Sequence, residues 1–526
     1  MPSLNWIGKE KIVNHDKDVP FRLMRKNKKY SLGKSENLIL EGDNLEALKA
    51  LMPFYYGKIK CIYIDPPYNT GKEKWVYNDR VNSPKIKEWF RKIVGPEGED
   101  LTRHDKWLCM MYPRLRLLHD LLRDDGVIFI SIDDNEHCYL RQIVDDIFGV
   151  ENFLANISWQ GMDTIKNDAR YFSSNTEYVV VYAKSIVDTK LKGVKKGEKQ
   201  RSVYKNYDND PRGSYLLTPL HAKSGSEEGV YNFTFPSGQI WRAPKGTYPR
   251  FSKETLARLV KERRIYLDPK GKRVPQKKTY LSEVSERMRP WTFWKYEDFG
   301  STRQANAELR AILGRGEFQN PKPSKLIKKI IDLVKDKDDI ILDSFAGSGT
   351  TAHAVLDLNK EDGGSRKFIL VEMEKNIAKN ITAERVKRVA RGYSYKTGKG
   401  KAVKVPGLGG GFEYVELGEP LFDKDGMINK AVGFLDMARY VYFTETRTNL
   451  EKKNINGNNL GGFGGNHYFL LFDGIGKNVL TRKVLKELKT HKGKKIIYAD
   501  KCLLDEDVLE KHQIIFKQIP YAIKIY

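Results

Sequence analysis

The chain has 526 residues, enough for about three domains of ordinary size, and its 93 Lys and Arg against 68 Asp and Glu give a net charge of +25. Hydrophobic residues make up 40% of the chain, which excludes a disordered polycation. No uninterrupted apolar run reaches about 18 residues and the start lacks a signal-peptide core, so we expect a cytoplasmic protein without a membrane span.

The basic excess favours a polyanionic partner, foremost nucleic acid, over the alternative that Lys merely solubilises a large surface. The cysteines neither pair at CxxC spacing nor join His residues at the spacing of zinc ligands. We therefore predict no disulfide framework and no metal site. The four are Cys61, Cys109, Cys138 and Cys502.

Strands and helices alternate over the first 185 residues. The first apolar run predicts a strand at 38–40, followed by a helix that begins at Asp43 or Asn44 and ends before Pro53. A buried strand at 59–64 then stops at two prolines, which cannot continue a central strand. Further patterns predict a helix at 105–122, a strand at 126–133, a helix at about 135–148 and a strand at 176–184.

Residues 186–300 interrupt this alternation with a basic, aromatic and turn-rich stretch of 25 Lys and Arg against 13 Asp and Glu. The alternation resumes at 320 with a helix after Pro323, then a strand, a glycine loop and a helix, then another strand and helix. A glycine-rich linker at 406–412 precedes a nearly neutral tail, for which we predict a flexible loop at 456–466.

This order predicts an α/β fold, in which a parallel sheet has helices on both faces. In such a fold we expect ligands to bind at the carboxyl ends of the strands. The basic stretch is then an insertion that splits the sheet domain. The predicted domains are an N-terminal arm at 1–29, the sheet domain at 30–185 and 320–405, an inserted recognition domain at 186–319, and a C-terminal α/β module at 413–526.

The strand-end sequence DSFAGSGTT begins at Asp343 and enters a helix. Gly347 and Gly349 allow close approach of a ligand, and the helix N-terminus favours a carboxylate or phosphate. This loop contains no GK[ST], which excludes an ATP-binding P-loop here. Glu372 ends the following strand, where an acid can accept ribose hydroxyls. Ordinary strand–helix geometry and a solvated carboxylate remain alternative interpretations.

The sequence DPPYNTG at 65–71 suits a planar base that bears an amino group. Asp65 supplies a carboxylate acceptor, Pro66 a carbonyl without an N–H, and Tyr68 a ring face for stacking. A Pro66-Pro67 turn with a tyrosine in the core is the competing interpretation.

Taken together, DPPYNTG and FAGSGTT resemble the β class of S-adenosylmethionine-dependent DNA amino-methyltransferases, and the order of the two motifs in this chain matches that class. The resemblance implies a Rossmann-like methyltransferase core with circularly permuted motif order, S-adenosylmethionine as co-substrate and double-stranded DNA as substrate. It implies base flipping followed by direct in-line transfer, with Asp65, Pro66, Pro67 and Tyr68 as the catalytic residues.

The resemblance also implies a set of cofactor-binding residues. Asp43 in GDNLEAL would contact the adenine, Glu372 the ribose, and NPKPSKL, which contains Lys322, would lie near the methionine moiety. The rest of the set follows the strand that ends in the glycine loop: Asp343, Phe345, Ala346, Gly347, Ser348, Gly349 and Thr350.

DPPY favours adenine N6 over cytosine N4 as the target atom. The segments at 207–213, 280–294 and 495–524 resemble type III restriction-modification Mod subunits, which implies a homodimer that associates with a restriction helicase–nuclease subunit. Three alternatives to an adenine-N6 type III enzyme stay open: a stand-alone methyltransferase, a cytosine-N4 enzyme and a non-catalytic DNA-binding adaptor.

Overall fold

The computed structural model describes residues 4–70, 103–165, 171–268, 273–314, 318–334, 336–398, 400–488 and 493–519. The chain divides into two compact units, one formed by 1–191 with 291–526 and the other by 192–290. Within the described ranges, no helix combines the length and the apolar character that crossing a membrane requires.

The helices and strands are numbered in chain order. The helices are α1 (Lys9–Ile12), α2 (His15–Asp18), α3 (Asn44–Tyr55), α4 (Arg103–Leu121), α5 (His137–Phe148), α6 (Glu198–Ser202), α7 (Lys253–Lys261), α8 (Tyr296–Phe299), α9 (Thr302–Leu313), α10 (Ser324–Leu333), α11 (Thr350–Asp362), α12 (Lys375–Ile377), α13 (Ala383–Arg391), α14 (Phe434–Thr446), α15 (Arg482–Leu488) and α16 (Glu506–Lys511). The strands are β1 (Arg22–Lys26), β2 (Leu38–Glu41), β3 (Ile59–Ile64), β4 (Leu122–Ile132), β5 (Phe153–Gln160), β6 (Thr176–Ala183), β7 (Val194–Lys195), β8 (Tyr215–Pro219), β9 (His221–Ala222), β10 (Phe233–Thr234), β11 (Ile240–Trp241), β12 (Tyr248–Pro249), β13 (Ile265–Tyr266), β14 (Gln276–Tyr280), β15 (Arg287–Met288), β16 (Phe293–Trp294), β17 (Ile340–Asp343), β18 (Lys367–Glu372), β19 (Gly392–Lys396), β20 (Ala402–Pro406), β21 (Glu413–Pro420), β22 (Asn459–Phe463), β23 (Asn466–Leu470), β24 (Val479–Leu480), β25 (Lys494–Ala499), β26 (Lys501–Cys502) and β27 (Ile514–Gln518).

The first unit is built on a ten-stranded sheet with the order β1-β21-β2-β18-β17-β3-β4-β6-β5-β16. Its middle strands, from β21 through β4, run parallel to one another, whereas β1 and β6 are antiparallel to their neighbours. Strand β3 is buried along its whole length, as expected for a strand covered on both faces, and its one charged residue, Lys60, pairs with Asp125. The predicted α/β fold class is therefore confirmed.

The predicted elements of the sheet domain recur with small shifts in their ends. The largest local difference is at Pro53, which lies inside α3 rather than after it. Leu51, Met52 and Pro53 are all buried. Their packing holds the last turn in helical form even though proline cannot donate a backbone hydrogen bond there.

Both predicted sequence boundaries of the sheet domain differ from the structure. β1 lies in the predicted N-terminal arm and β21 in the predicted C-terminal module, yet the two pair with each other at one edge of the main sheet. The linker at 406–412 is packed against the sheet domain: a Cβ on Gly411 would lie 2.1 Å from the carbonyl oxygen of Leu32. It is an ordered connection into β21 and does not separate two domains.

The C-terminal residues form a four-stranded sheet with the order β22-β23-β25-β27. One face, with Tyr468 and Tyr498, packs with α14 into the core of the first unit, and the other face forms its own apolar cluster with α15. The flexible loop predicted at 456–466 is wrong, because β22 and the start of β23 pair there as a hairpin. The glycines in this segment turn the hairpin instead of loosening it.

The second unit, 192–290, is narrower than the predicted insertion at 186–319, since β16 and α9 belong to the first unit. Its centre is a three-stranded antiparallel sheet with the order β13-β14-β8. Tyr215 and Trp241, which the sequence placed among the basic residues, are buried in its two small cores.

Asp210 is the centre of a polar cluster in this second unit. It accepts hydrogen bonds from Arg212, from Lys278 at 2.9 Å and from Tyr280 at 2.7 Å. Arg212 also donates to the backbone carbonyls of Glu262 and Arg263. The hydrogen bonds from Arg212 hold the pKa of Asp210 well below its usual range. Asp210 and Arg212 together therefore join three segments of the unit.

Candidate active site

Four adjacent parallel strands, β2, β18, β17 and β3, end at the same edge of the main sheet. The two sequence motifs follow β3 and β17, so the fold brings residues almost 280 positions apart into one place. One small cavity is lined by residues of both motifs and of the NPKP segment. The predicted site residues that line it are Asp65, Lys322, Asp343, Phe345, Ala346, Gly347, Ser348 and Thr350.

Asp65 forms an ion pair with Lys322 at the end of β3. The Nζ atom of Lys322 lies 2.8 Å from Asp65 Oδ1 and 2.9 Å from Oδ2. The same ammonium donates to the Tyr68 hydroxyl at 2.8 Å and lies 4.8 Å from the centre of its ring. Lys322 was predicted to bind the cofactor, and the structure places its charge on the predicted catalytic carboxylate.

Hydrogen bonds with buried side chains fix the DPPY loop. Trp107 of α4 donates from Nε1 to the carbonyl oxygen of Pro67 at 2.6 Å. Asn69, whose φ of 56° is in the left-handed region, donates its side-chain amide to the buried carboxylate of Glu136. His104 Nδ1 is 2.8 Å from the same Glu136 oxygen. These contacts fix the loop before a substrate arrives, which favours catalysis by positioning.

The glycine loop has the geometry of a close ligand cradle. Gly347 and Gly349 have φ values of 50° and 77°, which disfavour any residue with a side chain. A Cβ on Gly347 would lie 3.0 Å from the ring of Phe318. The hydroxyl of Thr382, directly before α13, donates to the Gly347 carbonyl at 2.6 Å, so this neighbouring segment also fixes the loop.

Asp343 is buried at the end of β17, where it shapes the start of the glycine loop. Oδ1 accepts from the backbone N–H of Phe345 at 3.0 Å, and Oδ2 accepts from Thr351 Oγ1 at 2.5 Å. Burial raises the pKa of this carboxyl to about 7. The side chain therefore changes charge near neutral pH inside the cavity wall.

This titration predicts a pH dependence of stability. An unfolded Asp carboxyl has a pKa of 3.8, so between about pH 4 and pH 7 the folded chain binds one proton more than the unfolded chain. The free energy of unfolding should fall as pH rises through that window, by at most roughly 4 kcal/mol, and then level off. Asp343→Asn should remove this contribution. Urea unfolding at pH 5 and pH 8 measures it, and an unchanged pH slope in the variant would contradict the assignment.

Glu372 and Asp43 flank the cavity at the ends of β18 and β2 and are absent from its wall. Glu372 accepts from the backbone N–H groups of Gly347 and Glu374, each at 2.9 Å. Asp43 caps α3 by accepting from Leu45 at 2.9 Å. Both carboxylates thus have a local structural role, and their contacts with ribose and adenine stay predictions.

Arg385, a buried cation that the sequence did not indicate, is hydrogen-bonded to the glycine loop. Arg385 of α13 donates to Ser348 Oγ at 2.9 Å and to Thr350 Oγ1 at 2.8 Å. Its other terminal nitrogen lies 3.0 Å from Glu308 Oε2 and 3.2 Å from His353 Nδ1. Burial, the largest single effect, would raise the pKa of Glu308, but Arg385, His353 and hydrogen bonds from Ser324 together outweigh it and lower the pKa. The pair therefore stays ionised.

The structure adds residues for which the sequence carried only weak signals. Glu177 is the second residue of β6, a strand rich in valine, and its Oε2 accepts from the Tyr68 hydroxyl at 2.9 Å. An acid inside such a strand was a usable signal. Trp107, Glu136 and Arg385 lie in helical or turn segments whose patterns do not distinguish them from ordinary core or surface residues.

A larger cavity of about 1120 Å³ adjoins the site cavity, and the two share Phe318 and Asn320 in their walls. It lies between α9, the turn at 161–164 and the hairpin of β19 and β20. The cationic side chains around it suit a ligand that carries phosphate. They are Arg303, Arg310, Arg388 and Lys396.

Comparison with known proteins supports what the two motifs indicated. The chain is 36% identical over 384 residues to the type III restriction-modification enzyme StyLTI Mod subunit of Salmonella typhimurium, which covers 70% of this chain and 56% of that protein. It is 35% identical over 371 residues to the type II methyltransferase M.KpnI of Klebsiella pneumoniae, which covers 67% of this chain and 84% of that protein. The chain spans between about half and two thirds of the type III relatives.

Among solved structures, the cytosine-N4-specific PvuII DNA methyltransferase aligns with 67% of this chain and 87% of its own, at 13% identity and a TM-score of 0.35. The family model described as DNA methylase matches residues 59–384, from the start of β3 to the beginning of α13. That match contains both motifs and more than half of the sequence, so the chain belongs to the DNA methylase family, as the resemblance predicted.

Proposed function

We propose that this chain transfers a methyl group from S-adenosylmethionine to the N6 atom of adenine in double-stranded DNA. The observation that carries the proposal is the single cavity in which Asp65 of the DPPY motif faces the glycine loop that begins at Asp343. A base acceptor and a cofactor cradle thus lie side by side, which direct transfer requires.

The residues around the glycine loop fit S-adenosylmethionine. Gly347 and Gly349 hold the loop in left-handed backbone conformations, and the first turn of α11 offers backbone donors for a carboxylate. Among the described side chains, the Ser344 Oγ atom is buried without a hydrogen-bond partner. When bound, S-adenosylmethionine supplies a methyl group on a positively charged sulfonium.

The chain's own residues would hold and orient the target amine. The base must leave the duplex to reach a pocket at the sheet edge. Asp65 would accept a hydrogen bond from the amine, so that the nitrogen lone pair is directed at the methyl group and the positive charge that develops there is stabilised. The nitrogen would bond to the methyl group as the sulfur–methyl bond breaks, S-adenosylhomocysteine would leave neutral, and the methylated nitrogen would then lose one proton to water. Tyr68 would stack on the base, a contact worth roughly 1–3 kcal/mol.

The test is transfer of labelled methyl groups by the full chain to mixed genomic DNA that lacks this modification. Mass spectrometry of the digested product should find N6-methyladenine. N4-methylcytosine would identify the alternative target, and a chain that binds the cofactor without labelling DNA would support the adaptor hypothesis instead.

We further propose that the chain is the modification and recognition subunit of a type III restriction-modification system, because of its likeness to Mod subunits over 70% of its length. The alternative is a stand-alone methyltransferase. It is favoured by the match to M.KpnI, which spans 84% of that protein against 56% of the StyLTI Mod subunit. Light scattering should give the mass of a homodimer. Co-expression with the neighbouring genes should recover a helicase–nuclease subunit in the first case and no such partner in the second.

The second unit, 192–290, is the proposed DNA-recognition domain, and its arginines should divide into two groups. Arg212→Ala should lower the stability of the unit by about 1–2 kcal/mol, because it removes bonds to Asp210 and to two backbone carbonyls. Arg242→Ala, at an exposed position, should leave stability unchanged and reduce the salt dependence of DNA binding by about one counterion. Thermal melts and DNA titrations at several salt concentrations measure both. Equal effects of the two variants on melting would contradict this division.

A further inference from the structure

The ammonium of Lys322 donates hydrogen bonds to both carboxylate oxygens of Asp65, which are the proposed acceptors for the target amine. It lies 2.8 and 2.9 Å from the two carboxylate oxygens of Asp65, and its side chain is only 9% exposed. Pro323, the next residue, restricts the backbone of Lys322 to extended conformations. An amine and an ammonium are both donors, and they compete for one acceptor.

A second carboxylate is within reach of the same ammonium. Glu177 Oε2 lies 3.3 Å from Lys322 Nζ and also accepts from the Tyr68 hydroxyl. Glu177 comes from β6 and Asp65 from the end of β3, so the two acids approach Lys322 from different strands. One cation is therefore placed between two anions and can be held by either.

We propose that Lys322 and Glu177 are positioning residues for Asp65: Lys322 neutralises Asp65 until the target amine displaces it, and Glu177 then receives the ammonium. This inference rests on the proposed methyl transfer. Positive charge develops on the target nitrogen during methyl transfer. An ammonium that stayed beside this nitrogen would repel that charge and disfavour the transfer, and its displacement towards Glu177 reduces this repulsion.

Lys322 also favours the ionised form of Asp65, which can accept a hydrogen bond from the target amine. Burial raises the pKa of Asp65, and Lys322 opposes that shift. Among the described residues, the other ionisable groups with the largest effects on Asp65, or on which Asp65 acts, are Glu177 of β6, Tyr68 of the loop, Tyr63 of β3 and Asp343 of β17. None of these is a cation, so without Lys322 the Asp65 carboxyl should keep its proton at higher pH.

The test is a double-mutant cycle in the full chain with Lys322→Met, Glu177→Gln and both changes together. Lys322→Met should lower kcat at pH 7 by a factor of roughly 10 to 100 and move the acidic limb of the kcat profile upward by at least about one pH unit, with recovery at pH 9. Glu177→Gln should lower kcat about tenfold when Lys322 is present, and less than about twofold in the Lys322→Met background.

Matched variants control for charge and folding. Lys328 on α10 also lies between two carboxylates, those of Asp357 and Glu361, but away from the site, so Lys328→Met should leave the pH profile unchanged. Lys322→Arg retains the cation and should keep the acidic limb near its original position. Melting curves and equilibrium binding of S-adenosylmethionine establish that each variant is folded.

Equal costs of Glu177→Gln in the two backgrounds would overturn the proposal, and so would a Lys322→Met profile that coincides with that of the unmodified chain. Both outcomes presuppose methyl transfer by the unmodified chain in the same assay. Absence of transfer by that chain would instead reject the proposed function, so the two failures are distinguishable.

Discussion

Replacing Asp65 by Ala should reduce methyl transfer by a factor on the order of 10³ or more, while the affinity for S-adenosylmethionine stays within about threefold. Asp65 is the acceptor for the target amine in the proposed reaction, and the cofactor cradle is built from a different strand end, that of β17. The fold should survive, because Lys322 retains Glu177 as a partner at 3.3 Å.

The measurement combines single-turnover methyl transfer with equilibrium binding of S-adenosylmethionine. Asp188→Ala, which removes an exposed carboxylate that accepts from Ser185, serves as a matched control and should retain full activity. Parallel losses of cofactor affinity and turnover in Asp65→Ala would show that the two functions are not separated between the strand ends.

Replacing Arg385 by Met should destabilise the first unit by about 3 kcal/mol, because it leaves the carboxylate of Glu308 without its cation. The same change removes two hydrogen bonds to the glycine loop, so S-adenosylmethionine should bind more weakly. The control is Arg388→Met on the same helix: its ion pair with Glu384 is far more exposed and should contribute less than about 1 kcal/mol.

Urea unfolding followed by circular dichroism measures the loss of stability. Adding Glu308→Gln to Arg385→Met should restore part of it, since the remaining group is then neutral. An Arg385→Met protein that unfolds at the same urea concentration as Arg388→Met would refute the role assigned to this buried cation.

Local sequence patterns predicted the strands and helices that carry the site. The apolar runs before Asp65 and Asp343 form strands that are buried except at Ile340, and each run is followed within a few residues by a proline or a glycine. Because parallel strands share one edge, the meeting of both motifs followed from the fold class alone.

Other features depended on encounters between distant segments. Nothing around Lys322 indicates that its side chain meets Asp65, since that contact is set by the packing of the NPKP segment against the end of β3. The pairing of β1 with β21 likewise has no local signature, and a change in charge near 413 suggested a domain boundary where the chain in fact adds a strand to the main sheet.

That strand pairing has a consequence for the order in which the molecule can be completed during synthesis. Asn27, directly after β1, bonds to Glu416 of β21 across 389 positions. A ribosome must therefore release more than 400 residues before β1 finds its neighbour. Until then the outer backbone groups of β2 are an open edge that other nascent chains could pair with. Such distant pairing is slow to form, so this edge is where we expect chaperones to shield the newly made protein.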